Sequence, residues 1–154
     1  MSKFLKFLGY AWAAPVTLFG LLYVALMTAA GFYKWHGVEG DALVWTVKPT
    51  SPSWLMALWK KWGGQAIGNV VVLKVSPVDR PMVLIHEQKH VDQVMRLGIF
   101  QPIMYALCYV AIRVGCPGSD PYWSSPFEVD ARRHAGQLVD VEGLLKKLKE
   151  TGKS

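Results

Sequence analysis

The feature that most constrains the fold is a long apolar segment near the N-terminus, residues 7–33, which contains no charged side chain. As a helix, these about 27 residues would extend roughly 40 Å, which is enough to cross a bilayer with some tilt. Pro15 is costly inside a soluble helix but is tolerated in a bilayer helix. Aromatic residues near both ends, such as Tyr10 and Trp35, suit the interfacial regions of a membrane. The segment therefore predicts a membrane anchor helix within residues 1–36.

Two other structures compete with an anchor for this segment. A cleaved signal peptide would have a shorter apolar core, of about 7 to 15 residues, although Thr28-Ala29-Ala30 could serve as a cleavage site. A buried core helix, or a half-inserted helix bent at Pro15 and Gly20, would also fit the composition. The whole chain favours membrane association: 52% of its 154 residues are hydrophobic and only 18% are charged, against about 25% charged residues in an ordinary soluble domain.

The net charge of +6 is compatible with binding to nucleic acid, with binding to anionic lipid, or with a solvated basic surface. The basic residues cluster at the ends of the chain and among tryptophans, and no basic stripe coincides with a nucleic-acid motif. We therefore expect lipid headgroups as the counter-charge and no nucleic-acid partner. Cys108 and Cys116 are too few for a disulfide framework, and the sequence leaves open whether they form a bridge.

The rest of the chain alternates strand-like and helix-like segments, which predicts an α+β fold with a small β-sheet. Residues 42–47 and 67–75 are predicted as strands, because β-branched residues are frequent in both. Ser53 can cap a short tryptophan-rich helix, which would lie either at a membrane surface or on the core. The helix after the second strand is predicted to begin near residues 79–80 and to stop at Gly98.

Two further helices are predicted toward the C-terminus. Residues 99–114 are mostly apolar, but only about a dozen are uninterrupted, which is short for a spanning helix and normal for a buried one. We therefore predict a core helix there. After a loop that contains proline and glycine, Ser125 can cap a last helix, which is predicted to break near Gly136 or Gly143 and to continue amphipathically.

The segment His86-Glu87-Gln88-Lys89-His90 places two histidines four residues apart, and therefore on one face of a helix. Two imidazoles at this spacing can bind one metal ion, and the pattern is typical of zinc sites. Glu87 then lies beside the metal, where it can act as a general base toward a zinc-activated water. Given this composition, roughly 0.002 accidental matches to the pattern are expected, so chance is a poor explanation. The alternative is that His86 and His90 are surface residues on a solvated helix face.

Local spacing does not fix the third ligand, and a later helix offers three candidates, Glu128, Asp130 and His134. Glu128 is preferred, because it opens a helix after a loop and a helical hairpin can return it to the metal. Asp130, two residues on, faces another direction, and a lone histidine such as His134 is more often a surface or core residue than a ligand.

Four further side chains are candidates for supporting roles. Gln93 lies one turn after His90 on the metal face, where it could orient a ligand from the second shell, although a plain surface amide is equally compatible. Tyr105, Tyr109 and Tyr122 could contact substrate or stabilise an oxyanion, while core or interfacial packing is the ordinary role of such tyrosines.

A family resemblance joins these residues. The chain carries His86-Glu87-x-x-His90-x-x-Gln93, then a tyrosine-bearing apolar helix, then Ser125-Pro126-Phe127-Glu128-x-x-Ala131. This resembles the H-E-x-x-H-x-x-Q and N-P-F-E-x-x-A pattern of small bacterial and phage membrane proteins related to gluzincin-type zinc metallopeptidases. Ser125 departs from that pattern, which more often has asparagine there. The likeness extends at lower specificity to the segments that begin at Pro15 and Ala66.

The resemblance implies that Glu128 is the third zinc ligand and that a strand before the motif helix forms one wall of a substrate cleft. It also implies a zincin-like helical core, with the H-E-x-x-H helix and a later glutamate-bearing helix. The chain is accordingly divided into an anchor helix, residues 1–36, and a zincin-like metal-binding domain, residues 37–154.

Two functions follow from these predictions. The first is a membrane-anchored zinc metallopeptidase that hydrolyses peptide or protein substrates with Glu87 as general base. The second is a zinc-stabilised, non-catalytic membrane protein that takes part in envelope or phage assembly. Lys3 and Lys6 ahead of the apolar segment favour a cytoplasmic N-terminus, which would place the zinc domain on the periplasmic side of a bacterial inner membrane. The oligomeric state and the substrate are not predicted.

Overall fold

The computed structural model describes residues 3–59 and 62–137. These residues form an α+β fold with one mixed four-stranded sheet and six helices, the first of them long and apolar. In chain order the elements are α1 (Lys3–Ala29), β1 (Tyr33–Glu39), β2 (Ala42–Val47), α2 (Ser53–Leu58), β3 (Gly64–Ile67), β4 (Val70–Leu73), α3 (Pro81–Leu97), α4 (Phe100–Gly115), α5 (Pro121–Ser124) and α6 (Pro126–His134).

The strand order in the sheet is β1-β2-β4-β3. Strand β2 runs parallel to β4, and the two outer pairs are antiparallel. All four residues of β4 are buried, because it lies between two hydrophobic clusters. Val71 and Leu73 face the cluster formed with α3 and the middle of α1, while Val70 and Val72 face the cluster formed with α2 and the C-terminal half of α1. A central strand that is covered on both faces has a continuous apolar sequence, without the alternation of apolar and polar residues seen in half-exposed strands.

The prediction of one strand over residues 67–75 is wrong. The chain reverses at Gly68-Asn69, so that β3 and β4 form a tight antiparallel hairpin. Gly68 has a φ of +63°, a left-handed conformation that glycine adopts without steric cost. As a result, β4 occupies the interior of the sheet and β3 provides its edge.

A further strand, β1, was not predicted. Helix α1 ends at Ala29, and β1 begins at Tyr33, inside the segment predicted as the anchor helix. The sequence gives a weak strand signal there, because most of β1 is exposed and the pairing with β2 shifts register between Trp35 and Gly37. Its start is nevertheless anchored in the core, since Tyr33 is fully buried.

Helix α1 is long and apolar enough to cross a membrane, with a mean hydropathy of 1.7 over its most apolar 18 residues. Only 17% of its most apolar window is buried, whereas the core helix of a soluble protein is mostly buried. The interpretation of α1 as a buried core helix is therefore disfavoured. Among the described residues α1 is the one helix that passes this test alone, and α3 and α4 pass it only as a pair bent by 112°.

One side of α1 packs on the β3–β4 hairpin through very close contacts. A Cβ on Gly20 would lie 2.5 Å from the carbonyl oxygen of Ile67, and a Cβ on Gly68 would lie 2.5 Å from the Cα of Thr17. Beside these contacts, the backbone N–H of Asn69 donates a hydrogen bond to the Thr17 hydroxyl at 3.1 Å. Small residues thus let the helix and the hairpin approach each other directly.

Helix α4 contradicts the prediction of a buried helix over residues 99–114. None of its residues is buried, and large apolar side chains on its outer face are 43–63% exposed from Ile103 to Val110. Composition alone could not distinguish a helix that is apolar because it is buried from one that is apolar and uncovered.

Other sequence predictions are confirmed with small shifts. Helix α3 begins at Pro81 and ends at Leu97, with Gly98 as its C-cap, and α6 begins at Pro126, but the hydroxyl of Ser125 makes no capping hydrogen bond. Gly136, with a φ of +67°, follows the end of α6. The amphipathic continuation beyond it lies outside the described residues. Both cysteines are free.

The contact between α1 and the hairpin leads to a stability prediction. Gly68→Ala should destabilise the protein in two ways, through backbone strain of about 1–2 kcal/mol at positive φ and through a further ~1–3 kcal/mol from the clash with Thr17. Gly31→Ala is the matched control, because Gly31 also has a positive φ but no atom within 4 Å of an added Cβ. Thermal unfolding of the full chain in detergent micelles should give a lower Tm for Gly68→Ala than for Gly31→Ala. Equal Tm values would contradict the close packing.

Candidate metal centre

Helix α3 brings His86 and His90 together. The two residues lie one turn apart on the same face, and both are less than 10% exposed. Their Nε2 atoms are 3.2 Å apart, and their rings meet edge to face. Two unprotonated nitrogens at this distance would direct lone pairs at each other, so the arrangement requires a proton or a metal cation between them.

Helix α6 adds the carboxylate of Glu128 to the pair. Its Oε2 lies 3.4 Å from Nε2 of His86, and its Oε1 lies 3.3 Å from Nε2 of His90. The other two candidates are elsewhere: Asp130 faces Gln93 and Lys89, and His134 is exposed at the end of α6. Of the three acidic or imidazole groups considered on this helix, only Glu128 therefore reaches the histidines.

The spacing of these three side chains fits a metal ion. Their ligand atoms all lie within 4.8 Å of one another. Tetrahedral ligands at about 2.1 Å from an ion are separated by roughly 3.4 Å, and the contacts that Glu128 makes with the histidines have this length. The buried group of His86, His90 and Glu128 could thus hold a metal ion.

Gln93 fixes the orientation of one of the histidines. Its side-chain oxygen lies 2.9 Å from Nδ1 of His90, and the Nδ1–H tautomer donates to that oxygen and leaves Nε2 unprotonated toward the metal position. The Gln93 amide nitrogen donates to the carbonyl of Phe127 and to the carboxylate of Asp130. One side chain on α3 therefore orients a ligand and ties α3 to α6. Nδ1 of His86 is buried and has no hydrogen-bond partner among the described residues.

The carboxylate of Glu128 has two further partners. Arg132 donates to its Oε2 at 3.2 Å, and the hydroxyl of Tyr105 donates to its Oε1 at 3.0 Å. The buried guanidinium of Arg132 is itself held by aromatic faces, 4.0 Å from the ring centre of Trp123 and 4.9 Å from that of Tyr122. Sequence reasoning missed Arg132, although its spacing of four residues from Glu128 on one helix was the available signal.

Electrostatics keep Glu128 ionised. Burial raises the pKa of this carboxyl, but hydrogen bonds and charges from His86 and His90 outweigh burial and lower the pKa to about 2. The same carboxylate raises the pKa of His90 against the opposing effect of burial. The negative charge of Glu128 would therefore favour a cation between the imidazoles.

Glu87 occupies a different environment, although it is adjacent to His86 in the sequence. It is buried, and burial is the main cause that raises its pKa to about 7. The positive charges of His90 and His86 lower this pKa, and the negative charge of Glu128 raises it further. Its side chain lies against Gly64 at the start of β3, where a Cβ would come within 2.6 Å of Oε1 of Glu87. The need for glycine at position 64 was another feature that the sequence did not reveal.

An open cleft of about 1230 Å³ lies in front of these groups. The three tyrosines predicted near the site all line it, together with residues of β3, α3 and the loop before α5. The hydroxyl of Tyr105 donates a hydrogen bond to Glu128, Tyr122 lies beneath the guanidinium of Arg132, and Tyr109 is 44% exposed. The cleft therefore joins the buried group of His86, His90 and Glu128 to solvent along one edge of the sheet.

Comparisons of the chain with protein-family models, with curated proteins and with solved structures find no match.

The role of Gln93 can be tested through metal affinity. Gln93→Leu should weaken binding of a divalent metal by roughly 10–100-fold, because His90 loses the hydrogen bond that fixes its tautomer. Gln88→Leu is the matched control: Gln88 is on the same helix and donates to the carbonyl of Glu39, so it loses a comparable hydrogen bond away from the ligands. Competition with a chromophoric chelator measures both affinities. Equal losses in the two variants would show that Gln93 has no specific effect on the ligand.

Proposed function

We propose that this protein is a membrane-anchored zinc metallopeptidase, with zinc held by His86, His90 and Glu128 and with Glu87 as general base. The observation that supports this most strongly is the convergence of three buried ligand atoms within 4.8 Å in an open cleft, next to a second buried glutamate, Glu87. A purely structural site has no need of a cleft or of a second buried acid beside the ligands.

The donor set supports zinc. Two imidazoles and one carboxylate form the three-ligand set that zinc hydrolases use, and three protein ligands leave one position for water or substrate. Oxygen-only sites that suit magnesium or calcium have no histidine ligands. A zinc ion bound here would supply Lewis-acid chemistry, by lowering the pKa of a water molecule and polarising a carbonyl group.

Glu87 carries the proton in the proposed reaction. A carboxyl with a pKa of about 7 is well matched to proton transfer at neutral pH, although a nearby dication would lower that pKa again. Glu87 takes one proton from water as the water oxygen bonds to the carbonyl carbon of the scissile peptide. The same carboxyl then gives this proton to the amide nitrogen as the carbon–nitrogen bond breaks. One amine and one carboxylic acid result, and Glu87 is regenerated.

The position of β3 supports an extended peptide as substrate. Strand β3 pairs with β4 on one side only and is therefore an edge of the sheet. Gly64, Gln65 and Ala66 line the cleft that contains the ligands. An extended chain can add to such an edge through backbone hydrogen bonds, which would hold a peptide carbonyl in front of the metal-binding group. The proposed substrate edge thus belongs to β3, because the hairpin places β4 inside the sheet.

The direct test uses the zinc-loaded full chain and a library of unstructured peptides. The wild type should cleave a subset of the library, and Glu87→Gln should reduce the rate by about 10²–10⁴-fold while retaining zinc, because only the proton acceptor is lost. Glu39→Gln, at a half-buried position at the end of β1, controls for the loss of one carboxylate away from the cleft. Stoichiometric zinc without cleavage of any peptide would contradict the peptidase and favour the zinc-stabilised assembly protein.

A second variant tests the position of Glu87 rather than its charge. Gly64→Ala adds a methyl group that Glu87 can avoid only by moving its side chain. A displacement of about 1 Å can cost on the order of 100-fold in rate, and we expect zinc content and Tm to remain near the wild-type values. Gly115→Ala is the control, since a Cβ there meets no atom within 4 Å. Unchanged peptide cleavage by Gly64→Ala would contradict the placement of the base.

A further inference from the structure

Helix α4 has two faces with different surroundings. On one face, Gln101, Tyr105 and Tyr109 line the cleft of the metal-binding group. The other face carries large apolar side chains at helical spacing, which are between 43% and 76% exposed: Phe100, Ile103, Met104, Leu107, Val110 and Val114. We call these six residues the outer stripe of α4.

The outer stripe contains no polar side chain. The single charged side chain of α4 is that of Arg113, near its C-terminal end. Surface helices of soluble domains carry charged residues on their outer face, because uncovered apolar surface is unfavourable in water. A contiguous apolar stripe along a whole helix therefore indicates an apolar environment around it.

The outer stripe is continuous with the exposed apolar surface of α1. The rings of Trp12 on α1 and Phe100 at the start of α4 lie 6.0 Å apart. Gly98, just before α4, packs so closely on Trp12 that a Cβ would lie 2.5 Å from its indole ring. Beyond this contact α1 exposes Leu18, Phe19, Leu22 and Leu26. The two apolar surfaces meet at one junction and can share one environment.

We propose that the outer stripe of α4 is embedded in the lipid bilayer beside α1, so that the metal cleft on the opposite face of α4 opens at the membrane surface. This inference rests on the membrane-anchored part of the proposed function and is independent of zinc and of catalysis. It defines the substrate class more closely, as peptide segments that lie next to a membrane.

The length and the ends of α4 favour shallow insertion. Sixteen residues of helix extend about 24 Å, which is shorter than the roughly 30 Å hydrocarbon core. A helix of this length with one apolar face lies in the interface, where the polar face remains hydrated. Arg113 can extend its guanidinium toward the headgroups, and the exposed Tyr109 and Trp123 are residue types enriched at this level.

The chemistry of the stripe favours lipid over a protein partner. Protein interfaces surround an apolar centre with a polar rim that supplies hydrogen bonds. The outer stripe offers no such groups and extends directly onto a helix that is long and apolar enough to span a bilayer. The alternatives to lipid are two protein covers of the stripe: a second copy of this chain, or its own residues 138–154.

Site-specific quenching in vesicles tests the proposal. The full chain, in a Cys108→Ala, Cys116→Ser background, receives one cysteine at Leu107 or at Val110, labelled with an environment-sensitive fluorophore. Phe19→Cys on α1 is the control for the bilayer, and Val78→Cys, 84% exposed before α3, is the control for water. The vesicles contain phosphatidylcholine and phosphatidylglycerol, with or without spin-labelled lipid.

We expect labels at positions 107 and 110 to be quenched at least twofold by spin-labelled lipid, as at position 19, and the label at position 78 to be unaffected. Quenching at position 19 without quenching on α4 would overturn the proposal. In that case, blue-shifted emission from the α4 labels would show that protein covers the stripe. Emission without a blue shift would show that the stripe is exposed to water. An unquenched label at position 19 would contradict both the membrane anchor and this inference. Zinc binding and peptide cleavage are tested in separate experiments and would not be affected by that result.

Discussion

The site depends on one physical constraint, which is the burial of an ionised carboxylate. Glu128 is 4% exposed and keeps its charge only because cationic or hydrogen-donating groups surround it on every side. His86 and His90 approach from α3, Arg132 from the next turn of α6, and Tyr105 from α4. A buried charge without such partners is strongly destabilising, so the packing of three helices and the geometry of the metal-binding group are linked.

Much of the site could be predicted from the sequence, because its main signals are local. A spacing of four residues places His86 and His90 on one helix face whatever the surrounding fold, and the structure brings them together as expected. Glu128 follows a loop and opens α6, and the structure returns it to the histidines. Gln93 contacts His90 because it lies three residues farther along the same helix.

The unpredicted features depend on contacts between segments that are distant in the sequence. The sequence of residues 67–75 is that of one strand, and the turn at Gly68 is evident only from its contact with α1. Likewise, the residues next to Gly64 in the sequence do not indicate that the side chain of Glu87 occupies the space where a Cβ would lie. Hydrophobicity also did not distinguish a buried α4 from an uncovered one, since both are apolar. In this protein the helix that forms one wall of the cleft also exposes its outer stripe, so one element links the cleft of His86, His90 and Glu128 to an uncovered apolar surface.

The most direct measurement is the zinc content of the purified full chain, determined by mass spectrometry after equilibration with zinc and dialysis. We expect one zinc ion per chain in the wild type, in Glu87→Gln and in His134→Gln, since neither of those residues belongs to the proposed ligand set. We expect His86→Gln and Glu128→Gln to lose the ion. A wild-type chain without zinc, or a Glu128→Gln variant that retains zinc with wild-type affinity, would contradict the central claim.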